Sequence, residues 1–191
     1  MEIMPVIKED ENSVWNDYVS IVKRGTEYNV YLTNGIAYPE YYNELVDVLL
    51  NAEEYETINL HINNGGGSID SAFMIIDAIG KSDATVIAKL SGTVASAATV
   101  ITLACDELQC SKYLSFMIHN YSTGMQGKGH ELKAYQNFTD RELNRAFKEI
   151  YKGFLTDEEM EKVIDGTDIW LNELEVLERW YNRVEHKNKG N

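Results

Sequence analysis

Apolar positions along the chain switch between two periods. Residues 27–33 (EYNVYLT) alternate as a half-buried strand does, Asn34-Gly35 supplies a turn, and residues 41–52 (YYNELVDVLLNA) space Leu45, Val48 and Leu49 as on a helix. Residues 57–62 (TINLHI) read as a strand with Ile58, Leu60 and Ile62 on one face. Residues 63–67 (NNGGG) read as a sharp turn, and 68–79 as a helix capped by Ser68. The same unit recurs. Residues 85–90 (TVIAKL) form the next strand, Ser91-Gly92-Thr93 a turn, and 94–105 a nearly uncharged helix that must be buried on every side. A further strand over 113–118 (YLSFMI) ends at His119. Strands that are almost continuously apolar, alternating with helices, predict an α/β architecture with parallel pairing.

Beyond His119, residues 121–130 are Gly-rich and loop-like. Residues 131–154 then place Leu132, Tyr135, Phe138, Leu143, Phe147, Ile150 and Phe154 along one long helix. Thr156 and Glu159 are spaced as a capping box that opens another helix, and 172–184 form the last one. Residues 1–20 are polar, contain Pro5 and carry no period, which predicts a mobile N-terminal arm ahead of a single domain over 21–191.

Composition narrows the possible partners. With 17 Lys+Arg against 31 Asp+Glu the net charge is −14, and such a surface repels phosphate backbones and anionic headgroups. Nucleic acid and membrane surfaces are therefore not expected partners. Hydrophobic residues make up 44% of the chain, enough for a sizeable core, and 2 prolines rule out a Pro-rich disordered chain. The opening residues carry no basic segment followed by an apolar core, and no apolar run is long enough to span a bilayer. Only Cys105 and Cys110 are present, in neither a disulfide framework nor a zinc spacing, so reduced thiols with at least one buried are expected. These features predict a soluble acidic domain in the cytoplasm.

Two features carry possible chemistry. Gly65-Gly66-Gly67 ends a strand and opens a helix, where backbone N–H groups can face a cavity and suit a carboxylate, a phosphate or a developing oxyanion. The same glycines also suit a simple tight turn. Ser96 stands at the start of the buried helix, where the positive end of the dipole and the N–H of Ala97 combine a nucleophile with an oxyanion donor. It equally suits a plain helix cap. Of the histidines, His61 falls on the strand face opposite Ile58, Leu60 and Ile62, and His130 and His186 lie in polar surroundings. His119 ends an apolar strand, where α/β sheets present functional side chains. Asp168 precedes Ile169-Trp170-Leu171 and is open to a half-buried placement, but periodicity does not single it out among 31 acidic residues.

Residues 60–68 (LHINNGGGS), 91–98 (SGTVASAA), 116–120 (FMIHN) and 165–171 (DGTDIWL) together resemble the proteolytic subunit of the Clp protease, in order and spacing, from about Glu27 to Trp180. The resemblance implies a crotonase-like ββα spiral with a protruding handle helix at 131–154. It implies Ser96 as nucleophile, His119 as general base, Asp168 as the carboxylate that orients it, and the N–H groups of Gly67 and Ala97 as oxyanion hole. It further implies a serine endopeptidase acting on unfolded polypeptides within a homo-oligomeric chamber of heptameric rings, fed by an AAA+ ATPase unfoldase, with no metal, nucleotide or other cofactor in the subunit. Four positions depart from the family pattern. Gly65 replaces a proline, Ala97 a methionine, Asn120-Tyr121 a Gln-Pro pair, and Ile169 an arginine that helps pair rings. They mark a divergent member, of phage or accessory type, with altered ring pairing and unfoldase docking. A crotonase-type acyl-CoA enzyme, which uses the same pair of N–H groups on a thioester, and a non-catalytic scaffold subunit are the competing readings.

Overall fold

The computed structural model describes residues 13–124 and 126–189. An eight-stranded mixed sheet runs in the order β1-β2-β3-β4-β5-β7-β8, with β6 pairing β5 beside that path. The parallel pairing expected from the sequence holds at its centre. There β3 (Glu27–Leu32), β4 (Thr57–Asn64) and β5 (Thr85–Ala95) run side by side, and β6 (Glu107–Cys110) and β7 (Ser115–Ile118) both lie parallel to β5. The ends are antiparallel: β1 (Ser13–Trp15) and β2 (Ser20–Arg24) extend the sheet past β3, and β8 (Ile169–Asn172) closes it beyond β7.

The helices follow from the apolar stripes. After a 3-10 turn at Pro39–Tyr42, α1 (Asn43–Asn51) buries Leu45 and Leu49, and α2 (Ile69–Ile79) is capped by Ser68, whose hydroxyl accepts from the Ser71 N–H. α3 (Ala97–Ala104) is buried from Ala97 through Leu103, as its uncharged sequence requires. α4 (Gly129–Ile150) is two things in one helix. Leu143 and Phe147 pack into the core, whereas Tyr135 and Phe138 remain 55% and 56% exposed. Among the described residues no helix is long and apolar enough to cross a membrane.

Three expectations are corrected. Part of the expected arm is sheet: residues 13–15 and 20–24 pair as a hairpin with Val19 buried, while residues 1–12 lie outside the described residues. Strands this short leave no period to read. Ser91-Gly92-Thr93 is no turn, because β5 runs through it while changing partners. Residues Ile87–Leu90 pair with β6, Thr93–Ala95 pair with β7, and Asn63 Oδ1 accepts the Thr93 N–H across the gap at 3.1 Å. The helix expected from 94 accordingly begins at Ala97.

The C-terminal helices are bolted to the core by two arginines of α6 (Glu173–Lys189). Arg183 is buried and donates to Leu103 O at 2.8 Å and Ile150 O at 3.0 Å, the C-terminal carbonyls of α3 and α4. Burial pushes its guanidinium below its ordinary value. Arg179 grips both oxygens of Glu159 at 2.8 Å. Glu159 also completes the capping box of α5 (Asp157–Ile164) with Thr156, as the spacing predicts.

The guanidinium of Arg179 holds the Glu159 carboxyl down from 4.5 to about 2. A carboxyl depressed by folding contributes stability that is complete above its unfolded value and lost as pH falls through its folded one. Arg179→Met is therefore expected to lower the unfolding free energy at pH 7 by about 1–2 kcal/mol, after screening of a quarter-exposed pair. That penalty should shrink between about pH 4.5 and pH 2. Denaturant titrations across that range check it; a penalty independent of pH would contradict the assignment.

Candidate active site

The site is assembled where β4 and β5 end. Past Asn64, the chain turns through three glycines into α2. The Gly66 N–H donates to Asn64 Oδ1 at 2.8 Å, and the buried Asn64 amide donates back to Asn34 O at the end of β3. Ile36 grips the turn from both sides, its N–H donating to Gly66 O and its carbonyl accepting from the Ser68 N–H, each at 2.8 Å. That leaves the Gly67 N–H with no acceptor among the described residues.

Side chains are forbidden here by contact as well as by backbone conformation. A Cβ on Gly66 (φ +92°) would meet Ser96 Cβ at 2.5 Å, and one on Gly67 (φ +146°) would meet Ile36 O at 2.1 Å. Gly65, where the family pattern has proline, has open space around it.

Ser96 joins β5 to α3 at φ 56° and ψ −129°, and it is the one non-glycine residue with positive φ among those described. Such a conformation is costly for a side chain with a Cβ and persists only where the surroundings impose it. Its N–H is fixed by Met117 O at 2.9 Å, and its carbonyl accepts from the N–H and the hydroxyl of Thr99. The hydroxyl does not cap the helix. It lies 2.8 Å from His119 Nε2 instead. The next N–H, that of Ala97, opens α3 without an acceptor among the described residues.

His119 follows directly on β7. The β7–β8 ladder ends at Ile118 opposite Ile169, so His119 and Asp168 are the first residues past its end on either strand. The Asp168 side chain is exposed rather than half-buried, and among the described residues no carboxylate lies within ion-pair distance of the His119 ring. The structure thus brings Ser96, His119, Gly67 and Ala97 together around one cleft, while Asp168 lies one residue past the β7–β8 ladder and does not bond His119.

The other histidines stay apart from this group. His61 bonds Asn29 at 3.0 Å and stacks on Tyr31, a sheet-packing role in which burial lowers its pKa. His130 is exposed beside Glu131, and the His186 side chain lies outside the described residues.

Further contributors escaped sequence reasoning. Asn120 donates to Ile164 O at 2.9 Å, tying the strand end that carries His119 to the end of α5, four residues before Asp168. Tyr121 donates to Asp140 of α4, which raises its hydroxyl to about 12. Only the departure from Gln-Pro at 120–121 marks them in the sequence. The open space over the dyad is a cleft of about 1030 Å³ between the Tyr38–Tyr41 segment and α4, with Val100, Leu143 and Phe147 along its apolar side. A hydroxyl bonded to an imidazole beside two unengaged N–H groups is competent for acyl transfer.

A family model described as Clp protease matches residues 11–178. An ATP-dependent Clp protease proteolytic subunit 2 from Pseudomonas aeruginosa is 33% identical over 132 residues, covering 64% of this chain and 62% of that protein's length. A protein of the same description from Treponema denticola is 26% identical over 186 residues, covering 93% and 92%. A solved structure, a ClpP1 mutant from Listeria monocytogenes, superposes with a TM-score of 0.64 at 24% identity over 79% of this chain and 86% of that one.

The glycine turn generates a stability prediction. Gly67→Ala should cost on the order of 3 kcal/mol, since Ile36 O occupies the site of the new Cβ. Gly65→Ala should stay within about 0.5 kcal/mol of wild type. Equal denaturation midpoints for the two variants would refute the close approach.

Proposed function

Because the chain belongs to the Clp protease family, we propose that it is a serine endopeptidase of unfolded polypeptides, with Ser96 as nucleophile and His119 as general base. The 2.8 Å contact between Ser96 Oγ and His119 Nε2, on a serine whose backbone conformation aims it into the cleft, carries this reading. In it, His119 takes the hydroxyl proton as Ser96 Oγ attacks the peptide carbonyl. The tetrahedral oxygen accepts hydrogen bonds from the N–H groups of Gly67 and Ala97. Collapse breaks the C–N bond, His119 protonates the departing amine, and an acyl-serine remains. A water then gives its proton to His119 and attacks the ester, which releases the acid and restores the hydroxyl.

Asp168 is the proposed orienting carboxylate. The ladder register supports it: β7 and β8 pair as far as Ile118 and Ile169, and His119 and Asp168 are the residues that follow on the two strands. Asp168→Asn is expected to preserve fold and assembly while peptide hydrolysis falls on the order of 10⁴-fold, the imidazole being held in the wrong tautomer. Near-normal turnover would mean that another acid, or none, supports His119. A fluorophosphonate should label Ser96 and nothing else. Wild type that stays unlabelled while a control serine protease reacts would favour the scaffold reading, and tight binding of CoA thioesters the crotonase reading.

The reading extends to assembly. Tyr135 and Phe138 stand exposed on the outer half of α4, and an apolar face of this kind is covered by a second copy of the chain. We propose homo-oligomeric heptameric rings acting in the cytoplasm and fed by an AAA+ ATPase unfoldase. Ile169, where ring-pairing arginine is usual in the family, is paired with Ile118 and alters the contact between rings. Sedimentation velocity should find a large oligomer at micromolar concentration, and a stable monomer there would rule the ring out.

A further inference from the structure

We infer that the cleft selects peptides carrying a basic side chain close to the scissile bond, received by tyrosine rings and by Asp70. This rests on the peptidase reading and names its substrate class.

Aromatic rings enter the cleft from two sides. Tyr18 comes from the β1–β2 turn, and Tyr38 and Tyr41 from the segment leading into α1. Tyr135 and Phe138 of α4 line the opposite side, but theirs is the face assigned above to a second copy, and Arg141 already stands over the Phe138 ring. The three tyrosines are therefore the rings that carry the inference. The Tyr18 and Tyr41 rings lean on each other with centroids 4.6 Å apart, and Tyr38 is 71% exposed, so ring surface remains for a ligand. Such faces attract ammonium and guanidinium groups through the ring quadrupole.

The charge lining the cleft has one sign. Among the described residues it includes the carboxylates of Asp70 and Glu142 and no lysine or arginine. Glu142 is already engaged by Arg141 at 2.8 Å and Arg145 at 3.1 Å. Asp70 is exposed in the first turn of α2, three positions beyond Gly67, and makes no ion pair among the described residues. A first-turn carboxylate favours a helix by itself, so Asp70 alone implies no ligand. The aromatic rings on the same cleft are the independent observation, because carboxylate and ring faces favour the same guest. The net charge of −14 adds a field of matching sign, which draws basic peptides in and turns acidic ones away. An acidic peptide side chain beside Asp70 would meet a like charge, the arginines nearest the cleft, Arg141 and Arg145, being engaged by Glu142.

The test takes the assembled full chain and peptides that differ only in bearing Arg, Leu or Glu at one of the positions flanking the scissile bond. At one such position kcat/KM for Arg should exceed that for Leu by about tenfold. Glu should be poorest, and the Arg-to-Glu ratio should narrow as salt rises. Asp70→Asn and Tyr38→Leu should each reduce the Arg preference. Fluorescence anisotropy of the same peptides with Ser96→Ala should give the same ranking without turnover. Equal binding of the Arg and Leu peptides, or a preference for Leu, would overturn the inference while labelling of Ser96 still upheld the peptidase. Arg-selective binding without wild-type hydrolysis would count against the peptidase and not against the selectivity.

Discussion

Behind Ser96 three segments of chain meet with no room for a side chain between them: the Ile36 backbone after β3, the Gly66-Gly67 turn after β4, and the β5–α3 junction. Glycine is demanded at 66 and 67 because a Cβ would collide with Ser96 or with the Ile36 carbonyl. The contact has consequences on both sides. Ile36 consumes the Gly66 carbonyl and the Ser68 N–H, so that the N–H between them, that of Gly67, is the one left for a ligand. On the other side, the turn presses on Ser96, which is held at φ 56° by the Met117 carbonyl and by Thr99. A strained serine and an unengaged donor thus arise from the same convergence.

The sheet delivers the second half of the site by a change of partner. β5 pairs first with β6 and then with β7, and this shift brings the end of β7, and with it His119, level with Ser96. β8 then returns antiparallel to β7, which puts the loop bearing Asp168 across from His119. Asn120 fixes that loop from the other direction through Ile164 O. Arg183 joins the C-terminal ends of α3 and α4 to α6, so the helix that begins at Ser96 is anchored at its far end. The proposed catalytic dyad therefore sits between rigid elements, as positioned chemistry requires.

Much of this was legible in the residues. The strands at 27–33 and 57–62, the Ser68 cap, the buried helix ahead of Cys105 and the Thr156–Glu159 box all rest on local period or local hydrogen bonding, which sequence encodes directly. What escaped is what depends on distant partners. β1, β6 and β8 are three or four residues long and owe their existence to the strand beside them. Ser91-Gly92-Thr93 is exposed and has turn composition, yet strand pairing on either side overrides it. In the site, Ser96 reads equally as a cap or as a nucleophile until its hydroxyl is seen on His119. Asp168 cannot be chosen among 31 acidic residues by spacing, because its relation to His119 is a matter of strand register. Tyr18 stands far along the sequence from Tyr38 and Tyr41, and only the folded chain gathers them on one cleft.

The Gly66-Gly67 turn and the start of α3 are proposed to form one receptor for a developing oxyanion over Ser96. A crystal structure of the phosphonylated protein tests it most directly, since the tetrahedral phosphorus imitates the intermediate. The expected adduct is on Ser96, with its phosphoryl oxygen accepting from the N–H groups of Gly67 and Ala97, both at about 2.7–3.1 Å. A phosphoryl oxygen turned away from both donors, or an adduct on another residue, would contradict it.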